Sequence, residues 1–243
     1  MNKVKNIQKE KFYISDISKC SYYPEKEERK LFTFLNDFND SKIYESLISN
    51  GFRRSQNVLY NQICDGCNKC IPIRINTRNF INSKNHKRIK KKCINFERII
   101  SGKITYEQFY LFKKYLNFKH PESEMNDMMF SDYYSMIKNS GIDTKLIEYR
   151  FDEKLVACCI TDFLEESLSM VYSFYSPKYL KFSLGKFMIL DHISLSKDLN
   201  KELLYLGYWI HGCKEMNYKS DFNSTEILIN NTWIKYEKEN SYL

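Results

Sequence analysis

Four cysteines have the residue type and spacing of a metal or cluster site. Three lie in the run Cys64-Asp-Gly-Cys67-Asn-Lys-Cys70, two residues apart, and Cys20 precedes them in the chain. The intervening residues are turn-forming or polar, so the run predicts a tight knuckle and neither a strand nor a buried helix. Zinc and a four-iron cluster both accept four thiolates. The sequence therefore predicts Cys20, Cys64, Cys67 and Cys70 as ligands, with a reduced loop of unliganded thiols as the alternative.

A basic run is the second feature with chemical meaning. The chain carries a formal charge of +8, and residues 84–92 contain six Lys or Arg with no acidic residue between them. Such a run is either a solvated face or a contact surface for an anionic polymer. Arg53, Arg54, Arg74 and Arg78 lie near it in sequence, and together these residues indicate contact with a phosphate backbone.

The composition predicts a folded, cytoplasmic protein. The chain has 243 residues, 43% of them hydrophobic, and eight cysteines. No apolar run is long enough to cross a bilayer. In an intracellular chain, cysteines serve metal binding or packing more often than a disulfide framework. Cys158 and Cys159 lie inside an apolar run and are predicted to be buried.

Helix signals dominate the middle of the chain. A short amphipathic helix is predicted to begin near Ser41 and to end at Asn50-Gly51. Thr105 and Gln108 have the spacing of a capping box, which predicts a helix to about Phe118. A further helix is predicted over 126–138.

The second half changes to strand patterns. Strands are predicted over 144–149, 155–163 and 167–175, the last two forming a hairpin, and alternation from Leu168 to Phe174 predicts one buried face. A helix should open at Ser183-Leu-Gly-Lys and end near residue 197, followed by a strand over 203–208 and a short helix over 209–217.

This order predicts an α+β fold. It matches the acetyl-CoA-dependent N-acetyltransferase (GNAT-like) type, a mixed sheet with flanking helices, in which helix N-terminal amides face an anion. Ser183-Leu-Gly-Lys occupies the corresponding place, although an ordinary helix cap would look the same. We therefore predict a GNAT-like domain over 101–243 and a smaller basic domain with the cysteine knuckle over 1–100.

A series of ordered motifs resembles one family along nearly the whole chain. The chain is similar to the bacterial aspartate/glutamate leucyltransferases, relatives of the arginyl-tRNA–protein transferases. The motifs are Cys20-Ser-Tyr-Tyr-Pro-Glu, Gly51-Phe-Arg-Arg-Ser, the knuckle with Ile71-Pro-Ile-Arg, Ser83-Lys-Asn-His-Lys-Arg, Glu148-Tyr-Arg, Leu155-Val-Ala, Thr161-Asp, Val171-Tyr-Ser-Phe, Ser183-Leu-Gly, Tyr205-Leu-Gly-Tyr-Trp-Ile, Cys213-Lys-Glu-Met-Asn-Tyr-Lys and Phe222.

The resemblance implies an activity and its partners. Such enzymes move leucine from leucyl-tRNA to the α-amine of proteins that begin with Asp or Glu, which marks the product for degradation by the N-degron pathway. The donor ester is already activated, so the chemistry requires no cofactor and no covalent enzyme intermediate. No Gly-x-Ser-x-Gly elbow is present, which agrees with direct transfer.

Roles can be assigned to individual residues on this basis. An acidic acceptor side chain needs a cation, and arginine grips carboxylate with two N–H groups. The predicted catalytic residues are Asp162, Tyr172, Tyr208 and Tyr218. The predicted acceptor-binding residues are Arg53, Arg54, Arg150 and Lys219. The predicted tRNA-binding residues are Lys84, Lys87, Arg88, Lys90, Lys91, Ser183 and Gly185.

Three other functions remain open at the level of sequence. An arginine donor would require an acidic pocket, whereas leucine would require an apolar one. An acetyl-CoA-dependent N-acetyltransferase would have no need of the basic run. A non-catalytic RNA-binding module built on the knuckle would have no need of a transferase-like sheet and cleft.

Overall fold

The structure is a computed structural model that describes residues 11–35, 41–138, 141–213 and 215–238. A four-stranded sheet of order β1-β4-β6-β5 and a two-stranded ribbon precede the large sheet in the chain. Their strands are β1 (Tyr13–Ile14), β2 (Ser18–Lys19), β3 (Glu27–Glu28), β4 (Lys30–Phe34), β5 (Arg53–Ser55) and β6 (Val58–Gln62).

An eight-stranded mixed sheet forms the centre of the molecule. Its order is β14-β13-β7-β12-β11-β10-β9-β8. The strands are β7 (Ile71–Asn76), β8 (Glu97–Ser101), β9 (Thr144–Phe151), β10 (Lys154–Phe163), β11 (Ser167–Tyr175), β12 (Leu203–Trp209), β13 (Thr225–Ile229) and β14 (Thr232–Lys235). The predicted strands over 144–149, 155–163, 167–175 and 203–208 are thereby confirmed, including the β10–β11 hairpin.

Five α-helices accompany the sheets in the described ranges. They are α1 (Ser41–Ser49), α2 (Lys84–Lys92), α3 (Tyr106–Lys119), α4 (Phe130–Lys138) and α5 (Leu184–Asp198). Short 3₁₀ helices lie at Glu124–Asp127, Pro177–Phe182 and Asn217–Ser220. None of the helices in these ranges has the length and apolar character that a membrane crossing requires.

The helix ends follow local side-chain chemistry. The Gln108 amide N–H donates to Thr105 Oγ1, and the Gln108 side chain accepts from the Thr105 N–H, which confirms the predicted capping box. The helix predicted over 126–138 begins only at Phe130. The helix predicted over 209–217 is wrong, because β12 ends at Trp209, turns occupy 211–212 and 215–216, and the 3₁₀ helix begins only at Asn217.

Apolar burial places the helices on the sheet. One core cluster joins α5 and the end of α2 to β7, β10 and β11, while a second joins α3 and α4 to β9, β10 and β11. Cys158 and Cys159 are fully buried, as predicted. A third cluster packs Tyr44 and Ile48 of α1 onto Leu59 of β6 and Tyr205 of β12.

The central strands diverge, and this divergence creates the cleft described below. β11 and β12 pair in parallel only over Ser167–Ser169 and Leu203–Tyr205. Beyond that point each strand carries an irregularity. In β11, Val171 is an extra residue with no partner in β10, and in β12 the pairing with β7 is interrupted between Tyr205 and Tyr208. The single buried face predicted for β11 is therefore wrong, since the bulge moves Phe174 into the second core cluster while Leu168 stays in the first.

This topology confirms the predicted fold class. The N-acetyltransferase-type arrangement has three parts. They are the antiparallel meander β9–β10–β11, the crossover helix α5, and strand β12, which is parallel to β11 and splays from it. The domain division near residue 100 stays a prediction. The large sheet takes β7 and β8 from the N-terminal side of that division.

Candidate active site

The splay between β11 and β12 opens into a cleft. Its outer chamber has a volume of about 330 Å³ and lies between the end of α3, the start of α5 and the 3₁₀ helix at Asn217–Ser220. An inner extension of about 110 Å³ shares five lining residues with it and reaches the bulges. The shared residues are Tyr115, His120, Ser173, Tyr218 and Lys219.

Arg53 lies at the inner end of this cleft. Its guanidinium donates to the Val171 carbonyl (3.1 Å) and the Leu206 carbonyl (3.4 Å), the groups that the two bulges release from the strand ladder. Other N–H groups of the guanidinium remain for a ligand, since arginine has five. The side chain crosses Gly207, where an added Cβ would lie 1.0 Å from Arg53 Nη1. The predicted acceptor-binding position of Arg53 thus faces the cleft.

Lys219 is the second basic residue at the inner end. Its side chain is half-buried, and Nζ donates to the carbonyls of Leu206 (2.8 Å) and Tyr208 (2.7 Å). Burial, followed by the charge of Arg53, lowers the pKa of Lys219 well below its usual range. Like Arg53, it lies where an acceptor-binding residue was predicted.

Tyr172 and Tyr218 line the same space. Burial raises the pKa of each to about 12, against an opposing effect of Arg53, so both hydroxyls are protonated at neutral pH and can donate. Both stay candidates for orienting the reacting groups.

Tyr208 is different, because its buried hydroxyl lies within hydrogen-bond distance of Gly51 O, Tyr60 O and Asn61 Oδ1. This geometry joins β12 to the small sheet, Tyr208 is not among the residues that line the cleft, and its catalytic role stays a prediction.

Asp162 and Arg54 form a buried ion pair away from the cleft lining. Arg54 donates from Nε to Oδ2 (2.7 Å) and from Nη2 to Oδ1 (2.8 Å) of Asp162, and both side chains are fully buried. Tyr44 and Thr144 also donate to this carboxylate. With both oxygens engaged, Asp162 is not placed to receive an amine proton and Arg54 is not placed to bind an acceptor. The geometry gives both a structural role instead of the roles predicted.

Arg150 is likewise corrected from acceptor binding. Its guanidinium pairs with Glu107 (2.6 Å) and Glu148 (2.9 Å) and donates to the Glu153 carbonyl (2.9 Å). Two carboxylates already neutralise its charge, and Arg150 does not line the cleft.

The start of α5 forms one wall of the outer chamber. Ser183 has a left-handed backbone (φ 55°) and makes no side-chain cap, while Gly185 and Lys186 follow it on the wall. The first amides of a helix have no intrahelical partner and favour anions. Ser183 and Gly185 thus stand where a phosphate or carboxylate could bind, and their tRNA-binding role remains a prediction.

The basic run folds as helix α2, for which the sequence analysis assigns no element. Ser83 and His86 form a capping box at its start, and His86 and Ile89 are its buried residues. The predicted tRNA contacts Lys84, Lys87, Arg88 and Lys91 are exposed. Lys90 is half-buried instead, since its Nζ donates to Ser194 Oγ of α5 (2.9 Å).

Helix α2 leads toward the cleft. Lys92 Nζ donates to the Lys181 carbonyl (3.4 Å), directly before the Ser183 wall. The charged face of α2 and the mouth of the cleft therefore lie on neighbouring segments.

The four knuckle cysteines are half-buried and free. Burial, then the nearby Cys20, Cys64 and Cys67, raise the pKa of Cys70 to about 12, so these residues share one region. The Arg29 N–H also points at Cys64 Sγ (3.5 Å), as N–H groups do around cluster sulfurs. Across the described ranges, no three His, Cys, Asp or Glu side chains are arranged to hold a metal ion. Thiols are the donor type that zinc or a cluster takes, but these four are not arranged around an ion here, and the ligand assignment stays a prediction.

Most of the residues that line the cleft are not among the predicted site residues, and three of them are polar residues next to the inner extension. Tyr115 comes from α3, and Ser173 and Tyr175 come from β11. The one signal in the sequence was that Ser173 and Tyr175 lie within three residues of Tyr172, a predicted site residue. Nothing in the sequence indicated that α3 would bring Tyr115 against Tyr175, with ring centroids 4.9 Å apart.

Comparison with known proteins gives the following similarities. The chain is 39% identical over 226 residues to an aspartate/glutamate leucyltransferase of Jannaschia sp. (strain CCS1), covering 91% of this chain and 79% of that one. It is 37% identical over 238 residues to the Allorhizobium ampelinum protein of the same name, covering 94% of each. Among solved structures, L-PGS from Bacillus licheniformis overlaps 60% of this chain and 49% of that chain, with a TM-score of 0.46 and 11% identity.

Two family descriptions match most of the chain. "Arginine-tRNA-protein transferase, N terminus" matches residues 18–88, and "Arginine-tRNA-protein transferase, C terminus" matches residues 107–229. With both halves matched in order, and with relatives at 35–39% identity over most of their length, the chain belongs to the arginine-tRNA–protein transferase family.

Proposed function

We propose that the protein transfers leucine from leucyl-tRNA to the α-amine of polypeptides that begin with Asp or Glu. The observation that carries this proposal is the Arg53 guanidinium, held by two main-chain carbonyls at the inner end of a cleft. A bidentate N–H pair suits the acceptor's carboxylate. The names of the relatives support the same donor and acceptors.

The reaction is the aminolysis of an ester. The acceptor nitrogen attacks the carbonyl carbon of the aminoacyl ester, a C–N bond forms, and the C–O bond to the ribose breaks. The acceptor's ammonium nitrogen loses two of its three protons, one to the ribose oxygen and one to solvent. Arg53 would fix the acceptor beside the ester, so alignment of the two substrates supplies much of the rate.

The cleft lining favours leucine over arginine as the donor amino acid. Leu180, Leu184 and Met216 line the outer chamber together with tyrosines. Among the lining residues that the structure describes, the acidic one is Glu215, an exposed side chain on which Lys119 and His120 act. An apolar wall suits a leucine side chain, whereas a guanidinium would need a buried acid.

The tRNA would reach this cleft along α2 and the start of α5. The exposed cations of α2 would contact phosphates and set the affinity and its salt dependence more than base identity. In the cell, the product's new N-terminal leucine would direct it to degradation in the cytoplasm.

Transfer assays with matched substrates test the proposal. Purified protein is offered labelled leucyl-tRNA, arginyl-tRNA or acetyl-CoA together with peptides that begin with Asp, Glu or Ala. We expect leucine to reach the Asp and Glu peptides alone. Transfer of arginine in preference to leucine would show that arginine is the donor amino acid. Acetyl transfer without aminoacyl transfer, or RNA binding without any transfer, would overturn the proposal.

We further propose that the knuckle binds zinc or a four-iron cluster through Cys20, Cys64, Cys67 and Cys70. A metal held there would join β2, β6 and the loop before β7, and the transfer chemistry would not pass through it. Elemental analysis and the visible spectrum of anaerobically purified protein test this. We expect bound metal in the natural chain and its loss in Cys67→Ser, with Cys159→Ser as the control.

A further inference from the structure

The hydrogen bonds of Lys219 need no more than the two N–H groups of an uncharged amine. Lys219 follows Tyr218 in the 3₁₀ helix, and its Nζ donates to two carbonyls of β12, at 2.8 Å and 2.7 Å. A neutral amine has two N–H groups and one lone pair. In that form both N–H groups would be used by the two carbonyls, and the lone pair would be directed away from them.

The charges around Lys219 act against its protonation. Arg53 donates to the same Leu206 carbonyl that Lys219 uses, so a second positive charge would stand beside the first. No carboxylate forms an ion pair with Lys219 among the described residues. Burial and Arg53 together lower the pKa of Lys219, against an opposing effect of Cys213.

The other titratable groups that face Lys219 do not supply a negative charge at neutral pH. From the flanking elements these are Tyr115, His120, Tyr172 and Tyr218. Burial raises the pKa of all three tyrosines and lowers that of His120, so all four are uncharged. Glu215 stands at the outer chamber and is exposed.

We propose that Lys219 is the general base of the transfer reaction, which takes a proton from the acceptor's α-ammonium group inside the cleft. The inference rests on the proposed function and changes the role predicted for Lys219, leaving the grip on the acceptor carboxylate to Arg53. Lysine is a documented base when burial and a neighbouring cation hold it uncharged.

The protons balance with this assignment. The ammonium gives one proton to the Lys219 lone pair and becomes a nucleophilic amine. After the C–N bond forms, the nitrogen gives its second proton to the ribose oxygen as the C–O bond breaks. Lys219 then releases its proton to water, so each cycle yields one amide, one free tRNA hydroxyl and one proton.

Kinetics of two lysine variants test the assignment. Lys219→Met removes the amine. Lys219→Arg can still donate to the two carbonyls, but it carries a permanent positive charge and cannot act as a base at neutral pH. We expect both to lower kcat by about 100-fold or more, with little change in KM for the acceptor. Lys154→Met, at an exposed lysine of β10, is the matched control. A kcat for Lys219→Arg equal to that of the natural chain would overturn the inference.

Direct titration of the amine gives a readout without turnover. The folded natural protein is labelled competitively with acetic anhydride over a pH series, and each lysine is followed by mass spectrometry. We expect the labelling of Lys219 to reach half of its plateau at a lower pH than that of Lys154. Coincident midpoints would overturn the inference. Inactivity of the natural chain with every aminoacyl-tRNA would instead overturn the proposed function, so the two failures are distinguishable.

Discussion

A residue without a side chain fixes the position of Arg53. Gly207 has a positive φ of 77°, and the space of its missing Cβ is occupied by Arg53 Nη1 and Cζ. We expect Gly207→Ala to lower kcat/KM by about 100-fold, because a displacement of about 1 Å at a positioning group has that effect. Transfer to an Asp peptide measures the loss. Gly102→Ala is the control, since an added Cβ there meets nothing within 4 Å.

The cause of that loss can be isolated in a double-mutant cycle. In an Arg53→Ala background the clash at position 207 disappears and the backbone strain alone remains. Gly207→Ala should therefore cost less unfolding free energy there than in the natural chain. Equal costs in the two backgrounds would show that Arg53 does not occupy this space in solution.

Buried His192 makes stability depend on pH. Thr161 Oγ1 lies 2.9 Å from its Nε2, and its Nδ1 lies 2.7 Å from the Met188 carbonyl, which can only accept. Nδ1 therefore carries a proton, and Nε2 can accept a hydrogen bond from Thr161. Burial lowers the pKa of His192 to about 4 from an ordinary 6.5.

This shift predicts destabilisation by acid. Between pH 6.5 and pH 4 the unfolded chain binds a proton at His192 that the folded chain does not. The free energy of unfolding should therefore fall by up to about 3 kcal/mol as the pH falls through that window. Urea unfolding at several pH values measures the slope. His192→Gln should flatten the slope, whereas a slope that survives His192→Gln unchanged would assign it to other groups; the exposed His211→Gln is the control.

Helix α2 is expected to contribute to tRNA binding and not to the transfer step itself. Its buried residues, His86 and Ile89, attach it to the core, and its exposed residues are almost all basic. Replacing Lys84, Lys87, Arg88 and Lys91 by Gln should weaken tRNA binding and leave kcat at saturating tRNA unchanged. The plot of log K against log salt should flatten by about 0.7 to 0.9 for each phosphate that the helix no longer neutralises.

Filter binding over a salt series measures this slope. Gln at four exposed lysines outside α2, Lys103, Lys114, Lys154 and Lys235, controls for the change in net charge. If both sets of variants shift the slope equally, the effect belongs to overall charge and not to α2.

The elements also show what the sequence could and could not predict. Capping at Thr105 and the alternation of the later strands have local causes, so α3 and β9 to β12 were predictable. The bulge at Val171 was not predictable. It arises because Ile160 pairs with Tyr172 while Thr161 pairs with Met170, and a local sequence pattern does not determine which residues of two strands pair. The lining of the cleft was hidden for the same reason.

At the scale of the whole molecule, contacts distant in sequence decided which predicted site residues face the cleft. Arg53 and Arg54 are neighbours in β5 and point to opposite sides of it, as successive strand residues do. Arg53 enters the splay, while Arg54 reaches Asp162, 108 residues away. Sequence alone could not choose between them, because the choice depends on which side of β5 meets the large sheet.

The Arg54–Asp162 pair therefore couples the small sheet to the large one. Asp162→Asn would leave the buried guanidinium without its counter-charge, and we expect the free energy of unfolding to fall by about 3 to 5 kcal/mol. Glu202→Gln, which breaks the exposed Arg78–Glu202 pair, should cost about 1 kcal/mol at most. Urea unfolding of the two variants measures the difference. Comparable small losses in both would show that the buried pair is not needed to hold the sheets together.

The same coupling predicts that the chain unfolds as one unit. Trp233 donates to the Ser49 carbonyl at the end of α1 (2.8 Å), so its fluorescence reports on the N-terminal packing against β14. Trp209, at the end of β12, is buried in the core of the large sheet. With β7 lying between β12 and β13, the N-terminal third cannot leave without opening that sheet. Single-tryptophan variants, Trp209→Phe and Trp233→Phe, should each give one urea transition with the same midpoint as circular dichroism. Separate midpoints for the two reporters would instead favour independent domains divided near residue 100.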